Sequence, residues 1–285
     1  MNPIILAVII VAVIGLVLGI ILAIASVVMA VPVDEKAVAI EEVLAGANCG
    51  ACGFSGCSGY AAALSEGSVE DTTLCSPGGA GTAKKIAEIL GTAAAETIPQ
   101  TAVVMCHGSD EKAEKSLVYH GDLSCKTAAQ LFGGDKACKF GCLGYGDCVK
   151  ACPYDAIHIN DKGIAEVDSL KCKACKICIN TCPKGIIELA PLYRKEAVVY
   201  CKNHDKGGVT RKLCQVGCIG CMKCQKTCQH DAIHVENFAA HVDQSKCIGC
   251  GDCVEVCTTK CLELTTFGKV IVKDAAAAAK PTKTA

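Results

Sequence analysis

The sequence predicts an α+β protein: one N-terminal transmembrane helix, a small helical domain with its own cysteine set, and two small α+β units in tandem. Three observations predict it. The first thirty residues are apolar and uncharged, 25 cysteines in 285 residues fall in evenly spaced runs, and a stretch beginning at Ala102 is repeated from Ala197. The divisions read as residues 1–33 (anchor), 34–98 (N-terminal cysteine domain), 99–192 (first unit), 193–268 (second unit) and 269–285 (tail).

The anchor rests on length and charge. Ile4 to Val31 is apolar except for Ser26, and about 20 apolar helical residues suffice to cross a bilayer. A cleaved signal peptide is the rival reading, with Ala23, Ala25 and Ala30 as small residues near a cleavage site. It would begin with basic residues and have a shorter core, whereas Met1-Asn2-Pro3 is uncharged. Gly15 and Gly19 form a small-x-x-x-small pair that can admit a partner helix, or are ordinary membrane glycines. Asp34-Glu35-Lys36 carries too little positive charge to set orientation.

Asp34 to Leu44 has helical periodicity, with Val38, Val43 and Leu44 apolar and Gly46 as a stop. Cys49, Cys52, Cys57 and Cys75 follow in a C-x2-C-x4-C-x17-C pattern, enough thiolates for one [4Fe-4S] cluster. Glycines at 50, 53, 56 and 59 let the backbone approach a bulky inorganic core. Zinc is the structural alternative. Short helices are expected over Ser58–Leu64 and Lys84–Leu90, then a linker over 91–99.

The repeat carries the densest cysteine runs. In the second unit Cys218, Cys221, Cys224 and Cys228 form C-x2-C-x2-C-x3-C, and Cys247, Cys250, Cys253 and Cys257 form another. This spacing resembles that of bacterial two-cluster ferredoxins, where the fourth cysteine of each run ligates the other cluster. One expected cluster is held by Cys218, Cys221, Cys224 and Cys257, the other by Cys247, Cys250, Cys253 and Cys228. Zinc ribbons space their cysteines as two separated pairs. In the first unit Cys172, Cys175 and Cys178 make a full run with Cys182, and their expected fourth ligand is Cys152. The leading run is one cysteine short, because Tyr145 stands where Cys221 stands in the second unit. Cys138 is the expected substitute beside Cys142, Cys148 and Cys182. A three-cysteine site, with a [3Fe-4S] cluster or a non-cysteine ligand, is the alternative.

Five cysteines remain: Cys106, Cys125, Cys201, Cys214 and Cys261. Either Cys106, Cys125, Cys201 and Cys214 converge on a sixth cluster, or these are buried thiols acting as small hydrophobes. Cys214 is also a rival to Cys221 for its cluster. The expected complement is five clusters, with six as the open alternative.

Composition excludes other classes. A net charge of −1 argues against a nucleic-acid partner. With no Trp and 4% aromatics, such small domains lack large apolar anchors, which suits folding driven by metal binding. Cluster thiolates require a reducing compartment. The sequence contains no Gly-rich phosphate loop after a strand and no nucleophile–base grouping. His158 and His234 occupy matched places and read as surface residues. Lys136, Lys139, Lys150, Lys171, Lys173 and Lys176 make the first unit locally basic, either a steering face for an acidic partner or a solvated surface.

An apolar anchor, the Cys49–Cys75 domain and a run of ferredoxin-like modules together resemble the B-type subunit of the Rnf complexes, in the duplicated form with Cys138-x3-Cys142 found in anaerobic bacteria. The resemblance covers nearly the whole chain. It implies an α+β fold with two tandem bacterial two-cluster ferredoxin-like modules. It also implies an electron-transfer subunit of a membrane ferredoxin:NAD+ oxidoreductase that exports Na+ or H+, and thus an enzyme subunit that carries electrons without organic chemistry of its own. The implied partners are soluble ferredoxin as donor, the other Rnf membrane and flavin-bearing subunits, and the lipid bilayer. The implied location is the bacterial plasma (inner) membrane, single-pass, with the clusters cytoplasmic. A ferredoxin-like subunit of another membrane hydrogenase or dehydrogenase, or a zinc-binding structural protein, are the alternatives. Gln229 and Thr258 depart from the Pro that follows Cys152 and Cys182.

Overall fold

The computed structural model describes residues 3–28, 34–93 and 98–268. Helix α1 (Pro3–Val28) runs for 26 residues without a charge, a length of about 39 Å at the usual rise. Its outward side chains include Val11, Leu16 and Leu22. Side chains are described continuously only over 9–25, and among the described residues no helix is long and apolar enough to cross a membrane. The expected span therefore rests on the backbone of α1 and the sequence. The end of the expected anchor, part of the linker and the tail lie outside the described residues.

The N-terminal cysteine domain is three helices. In α2 (Glu35–Val43) the Asp34 carboxylate accepts from the backbone N–H of Lys36 at 2.9 Å and of Ala37 at 3.4 Å, a side-chain cap that satisfies amides left without helical partners. The others are α3 (Cys57–Ser65) and α4 (Gly79–Leu90). The last starts five residues before the sequence expectation. Gly79 and Gly81 are poor helix formers, but Ala83 and Ile86 are buried there and Thr82 Oγ1 donates to the Val43 carbonyl at 3.3 Å. Tertiary packing thus outweighs propensity. Ile40, Leu44, Tyr60, Leu64 and Ile86 form the core, and the Tyr60 hydroxyl donates to the Asp71 carbonyl at 2.7 Å.

The first unit runs β1 (Gln100–Val104), α5 (Cys125–Gln130), α6 (Asp147–Ala151), β2 (Ile157–Ile159), β3 (Ala165–Val167), α7 (Ile177–Thr181) and β4 (Ile187–Pro191). The second runs β5 (Lys195–Val199), α8 (Gly207–Leu213), α9 (Lys223–Thr227), β6 (Ile233–Glu236), β7 (Ala239–Val242), α10 (Asp252–Glu255) and β8 (Leu262–Thr266). In each unit the first strand pairs antiparallel with the last, Ala102 opposite Leu189 and Ala197 opposite Leu264, while a hairpin, β2–β3 or β6–β7, closes the middle.

Strand alternation divides the side chains between two cores. Ala102 and Val104 join Cys142, Cys148 and Cys178 in the first unit. Ala197 and Val199 join Cys218, Cys224 and Cys253 in the second. The opposite faces meet back to back, where Val103, Met105 and Ala190 pack on Val198 and Tyr200. The His107 ring stacks on Tyr200 across this junction with centroids 3.8 Å apart.

The four cysteine runs share one backbone pattern. In each, the second residue after the leading cysteine, the residue before the short helix, and the third residue after the closing cysteine are left-handed: Gly249, Gly251 and Lys260 in the last run, Ala174, Lys176 and Gly185 in another. These bends curl the loop so that its thiols face inward. Gly249 is the most constrained, with φ +70° and a missing Cβ that would strike the Lys195 carbonyl oxygen. Gly249→Ala should therefore cost about 1–3 kcal/mol, read as a lower melting temperature. Gly208→Ala, in a helix with open space around the added methyl, should leave it unchanged or raise it. Equal melting of the two variants would contradict the role of the close approach.

Candidate iron–sulfur centres

Cysteine thiols gather around voids. Cys49, Cys52, Cys57 and Cys75 line a cavity of about 320 Å³. Cys228, Cys247, Cys250 and Cys253 line one of about 330 Å³. Cys172, Cys175 and Cys152 neighbour Cys178, and Cys218, Cys221 and Cys257 neighbour Cys224. Among the described residues no three metal-binding side chains close around a single ion. Thiols spread around a void suit a cubane cluster better than a tetrahedral zinc, whose ligands approach to about 2.3 Å.

The structure departs from expectation at two cysteines. Cys125, not Cys138, lines the cavity of about 350 Å³ with Cys142, Cys148 and Cys182. Cys138 instead lines a cavity of about 380 Å³ with Cys106, Cys201 and Cys214, so it replaces Cys125 in the extra set. The reason is local. Ser124 Oγ donates to Asp147 Oδ2 at 2.9 Å, and the Lys126 N–H donates to the same oxygen at 2.9 Å. The start of α5 is thereby pinned to the start of α6, beside Cys148. A signal was available: the Cys106–Cys138 loop is longer than the matching Cys201–Cys214 loop, and the added residues include one cysteine in the unit that lacks one. Tyr145 takes the corresponding place of Cys221, and burial pushes its hydroxyl up to about 12.

Backbone amides point at the sulfurs in matched pairs. The N–H groups of Ala102 and Ala197 donate to Cys172 Sγ at 3.3 Å and Cys247 Sγ at 3.5 Å. Those of Ala156 and Ala232 donate to Cys152 Sγ and Cys228 Sγ, both at 3.5 Å. Such bonds favour the thiolate and tune a cluster's potential. Burial acts the other way, pushing Cys148 and Cys178 up to about 12 and Cys224 and Cys253 up to about 11. Without a cation these thiols hold their protons at neutral pH, so a bound cationic core fits the donor set.

Two further residues were missed from sequence. Cys261 is buried with its sulfur 3.7 Å from Cys257 Sγ, and hydrogen bonding between them holds Cys257 down at about 4, with Cys218 lowered as well. Its place in the first unit is taken by Ile186, since both precede the strand residue paired with Val104 or Val199. Lys136, expected on a basic surface, is 2% exposed. Its Nζ donates to the Gly108 carbonyl at 3.0 Å and lies 3.4 Å from the Asp110 carboxylate. Lys176 Nζ is also engaged, donating to the Ala51 carbonyl at 3.2 Å and tying the N-terminal domain to the first unit. Lys139, Lys150, Lys171 and Lys173 are exposed, as is His158, while His234 is partly covered.

Residues 44–77 match the FeS family, an Fe-S cluster domain, and residues 137–186 and 217–263 each match the 4Fe-4S dicluster domain family. The B-type subunit of the Na(+)-translocating ferredoxin:NAD(+) oxidoreductase complex of Acetobacterium woodii is 42% identical over 222 residues, 78% of this chain and 66% of that protein's length. The B-type subunit of an ion-translocating oxidoreductase complex of Methanosarcina acetivorans is 38% identical, covering 79% of this chain and 84% of the relative. The B-type subunit of the proton-translocating ferredoxin:NAD(+) oxidoreductase complex of Clostridium ljungdahlii is 39% identical, covering 72% of each. The chain belongs to the B-type subunit family of the Rnf ion-translocating ferredoxin:NAD(+) oxidoreductases. With its 4Fe-4S ferredoxin domains, it is an electron-transfer subunit of that class of enzyme.

Two outcomes follow for these centres. Cluster binding displaces protons from thiols whose burial raises them, so iron retention against a chelator should weaken as pH falls from 8 to 6; pH-independent retention would contradict it. Cys261→Ala should leave the iron content unchanged while lowering the midpoint potential of one cluster in a redox titration followed by EPR, because a donor to its sulfurs is lost. Lost iron would instead make Cys261 a ligand.

Proposed function

We propose that the chain is a wire of [4Fe-4S] clusters that accepts electrons from reduced ferredoxin and relays them toward NAD+ reduction coupled to Na+ or H+ translocation. Five ligand sets serve it: Cys49, Cys52, Cys57 and Cys75; Cys152, Cys172, Cys175 and Cys178; Cys125, Cys142, Cys148 and Cys182; Cys218, Cys221, Cys224 and Cys257; and Cys228, Cys247, Cys250 and Cys253. The observation that carries this reading is the spatial succession of the sets. Lys176, beside Cys175, donates to the Ala51 carbonyl between Cys49 and Cys52, which sets the N-terminal domain against the first unit. Cys148 and Cys178, from the two sets of the first unit, share one core, and Cys224 and Cys253, from the two sets of the second, share the other. When bound, each cluster supplies one-electron chemistry; the chain's own residues hold it, shield it and set its potential.

Helix α1 is proposed as a single-pass anchor in the plasma membrane, with the cluster domains on the cytoplasmic side and the other Rnf membrane and flavin-bearing subunits as partners. Its 26 uncharged residues exceed the ~20 that a bilayer requires. The exposed lysines at 139, 150, 171 and 173 are proposed to steer an acidic ferredoxin by complementary charge. Reversing Lys171 and Lys173 should slow electron transfer from ferredoxin several-fold at low salt and little at high salt, by stopped-flow; an unchanged rate would remove the steering role.

The deciding experiment uses the full chain, purified in detergent without oxygen. Iron and acid-labile sulfide should each reach at least about 20 per chain at four per cluster, with EPR signals on reduction by ferredoxin. Cys125→Ser should lose up to four iron atoms or leave a [3Fe-4S] signal in the oxidised protein. Little iron with stoichiometric zinc would end the electron-wire reading.

A further inference from the structure

We infer that Cys106, Cys138, Cys201 and Cys214 bind an additional [4Fe-4S] cluster at the junction of the two units, two ligands from each. The inference rests on the electron-wire reading and adds the link between its halves. The four sulfurs come from matched places, Cys106 and Cys138 in the first unit and Cys201 and Cys214 in the second. They line one cavity together, as the four thiols of three other sets do. All four are buried and none forms a disulfide.

The surroundings are built as at the other sets. The Cys142 N–H donates to Cys106 Sγ at 3.4 Å, and its counterpart, the Cys218 N–H, donates to Cys201 Sγ at 3.2 Å. Asn203 of the second unit donates from Nδ2 to Cys138 Sγ of the first at 3.5 Å. A Cβ on Gly108 would lie 3.5 Å from both Cys106 Sγ and Cys214 Sγ, so the backbone already approaches two of the four sulfurs closely. Buried Lys136, whose charge acts on Cys106, is an uncommon thing to bury unless an anion faces it. A cubane with four thiolates carries net negative charge, and the carboxylate that pairs with Lys136 among the described residues, that of Asp110, is about half exposed. Four small buried hydrophobes would need neither the converging donors nor the lysine.

The position explains the use. Cys142 and Cys218 lead the cysteine runs of the two flanking sets, and each touches this site through its own amide. An electron crossing from the first unit to the second passes here as a single one-electron exchange, with no bond made or broken and no proton moved. The centre lies between those two flanking sets, where the two units meet.

The test is iron and acid-labile sulfide on the same full chain, wild type and the double variant Cys201→Ser/Cys214→Ser. The expected result is about 24 iron atoms in the wild type and about 20 in the variant, at four per cluster, with one EPR-active centre lost. A wild-type value near 20 overturns this inference and leaves the five-cluster wire standing. Near 24 with no loss in the variant overturns the ligand assignment. Little iron in either overturns the wire itself. Should the variant fold poorly, the wild-type count alone separates 20 from 24.

Discussion

The structure depends on one constraint: a buried thiolate must face a compensating positive charge. At Cys148, Cys178, Cys224 and Cys253 burial drives the thiol toward its neutral form, while backbone amides such as the Ala102 N–H point at neighbouring sulfurs. Neither suffices alone, so the cationic core is part of the fold's interior rather than a guest on it. This accounts for cores in which Cys142, Cys148 and Cys178 pack among alanines, valines and isoleucines and no tryptophan exists. The left-handed residues at fixed places in every run are the backbone's answer to the same constraint, since a loop can surround a cluster only by curling around it.

The two like units meet back to back. Each strand of the pattern Ala-Val-Val presents one face to a cluster and the other to the neighbouring unit. The same few residues thus build a redox core and an interface. The interface is polar where it nears the sulfurs, through Asn203 and the buried Lys136, and aromatic farther out, where His107 stacks on Tyr200. The longer loop of the first unit brings Cys125, at the start of α5, to the cavity that Cys142, Cys148 and Cys182 line, where Tyr145 stands in the run.

Much of this was legible in the order of residues. Complete runs such as Cys172–Cys182 fix which thiols meet, because three residues of separation within one turn leave little freedom. The repeat announced two like units, and Cys49–Cys75 announced a separate small domain. What the sequence could not rank were thiols from loops. Cys138 lies four residues from Cys142 and looks like its partner, yet its sulfur turns to the other unit. Lys136 looks like a surface charge because a buried lysine has no signature in one dimension. The early start of α4 was hidden for a similar reason: its glycines argue against a helix that only the burial of Ala83 and Ile86 supports.

The sequence by itself determined the local chemistry: an uncharged apolar N-terminal stretch, thiols at cluster spacing, and a doubled unit. These are properties of near neighbours along the chain, where covalent geometry limits the outcomes. Only the tertiary structure decided how Cys106, Cys125, Cys138, Cys201 and Cys214 are shared out. Their partners lie tens of residues away, and the pairing is set by how two sheets pack and by where Asp147 pins a loop. Spacing governs a ligand set drawn from one turn; packing governs a set assembled from two units.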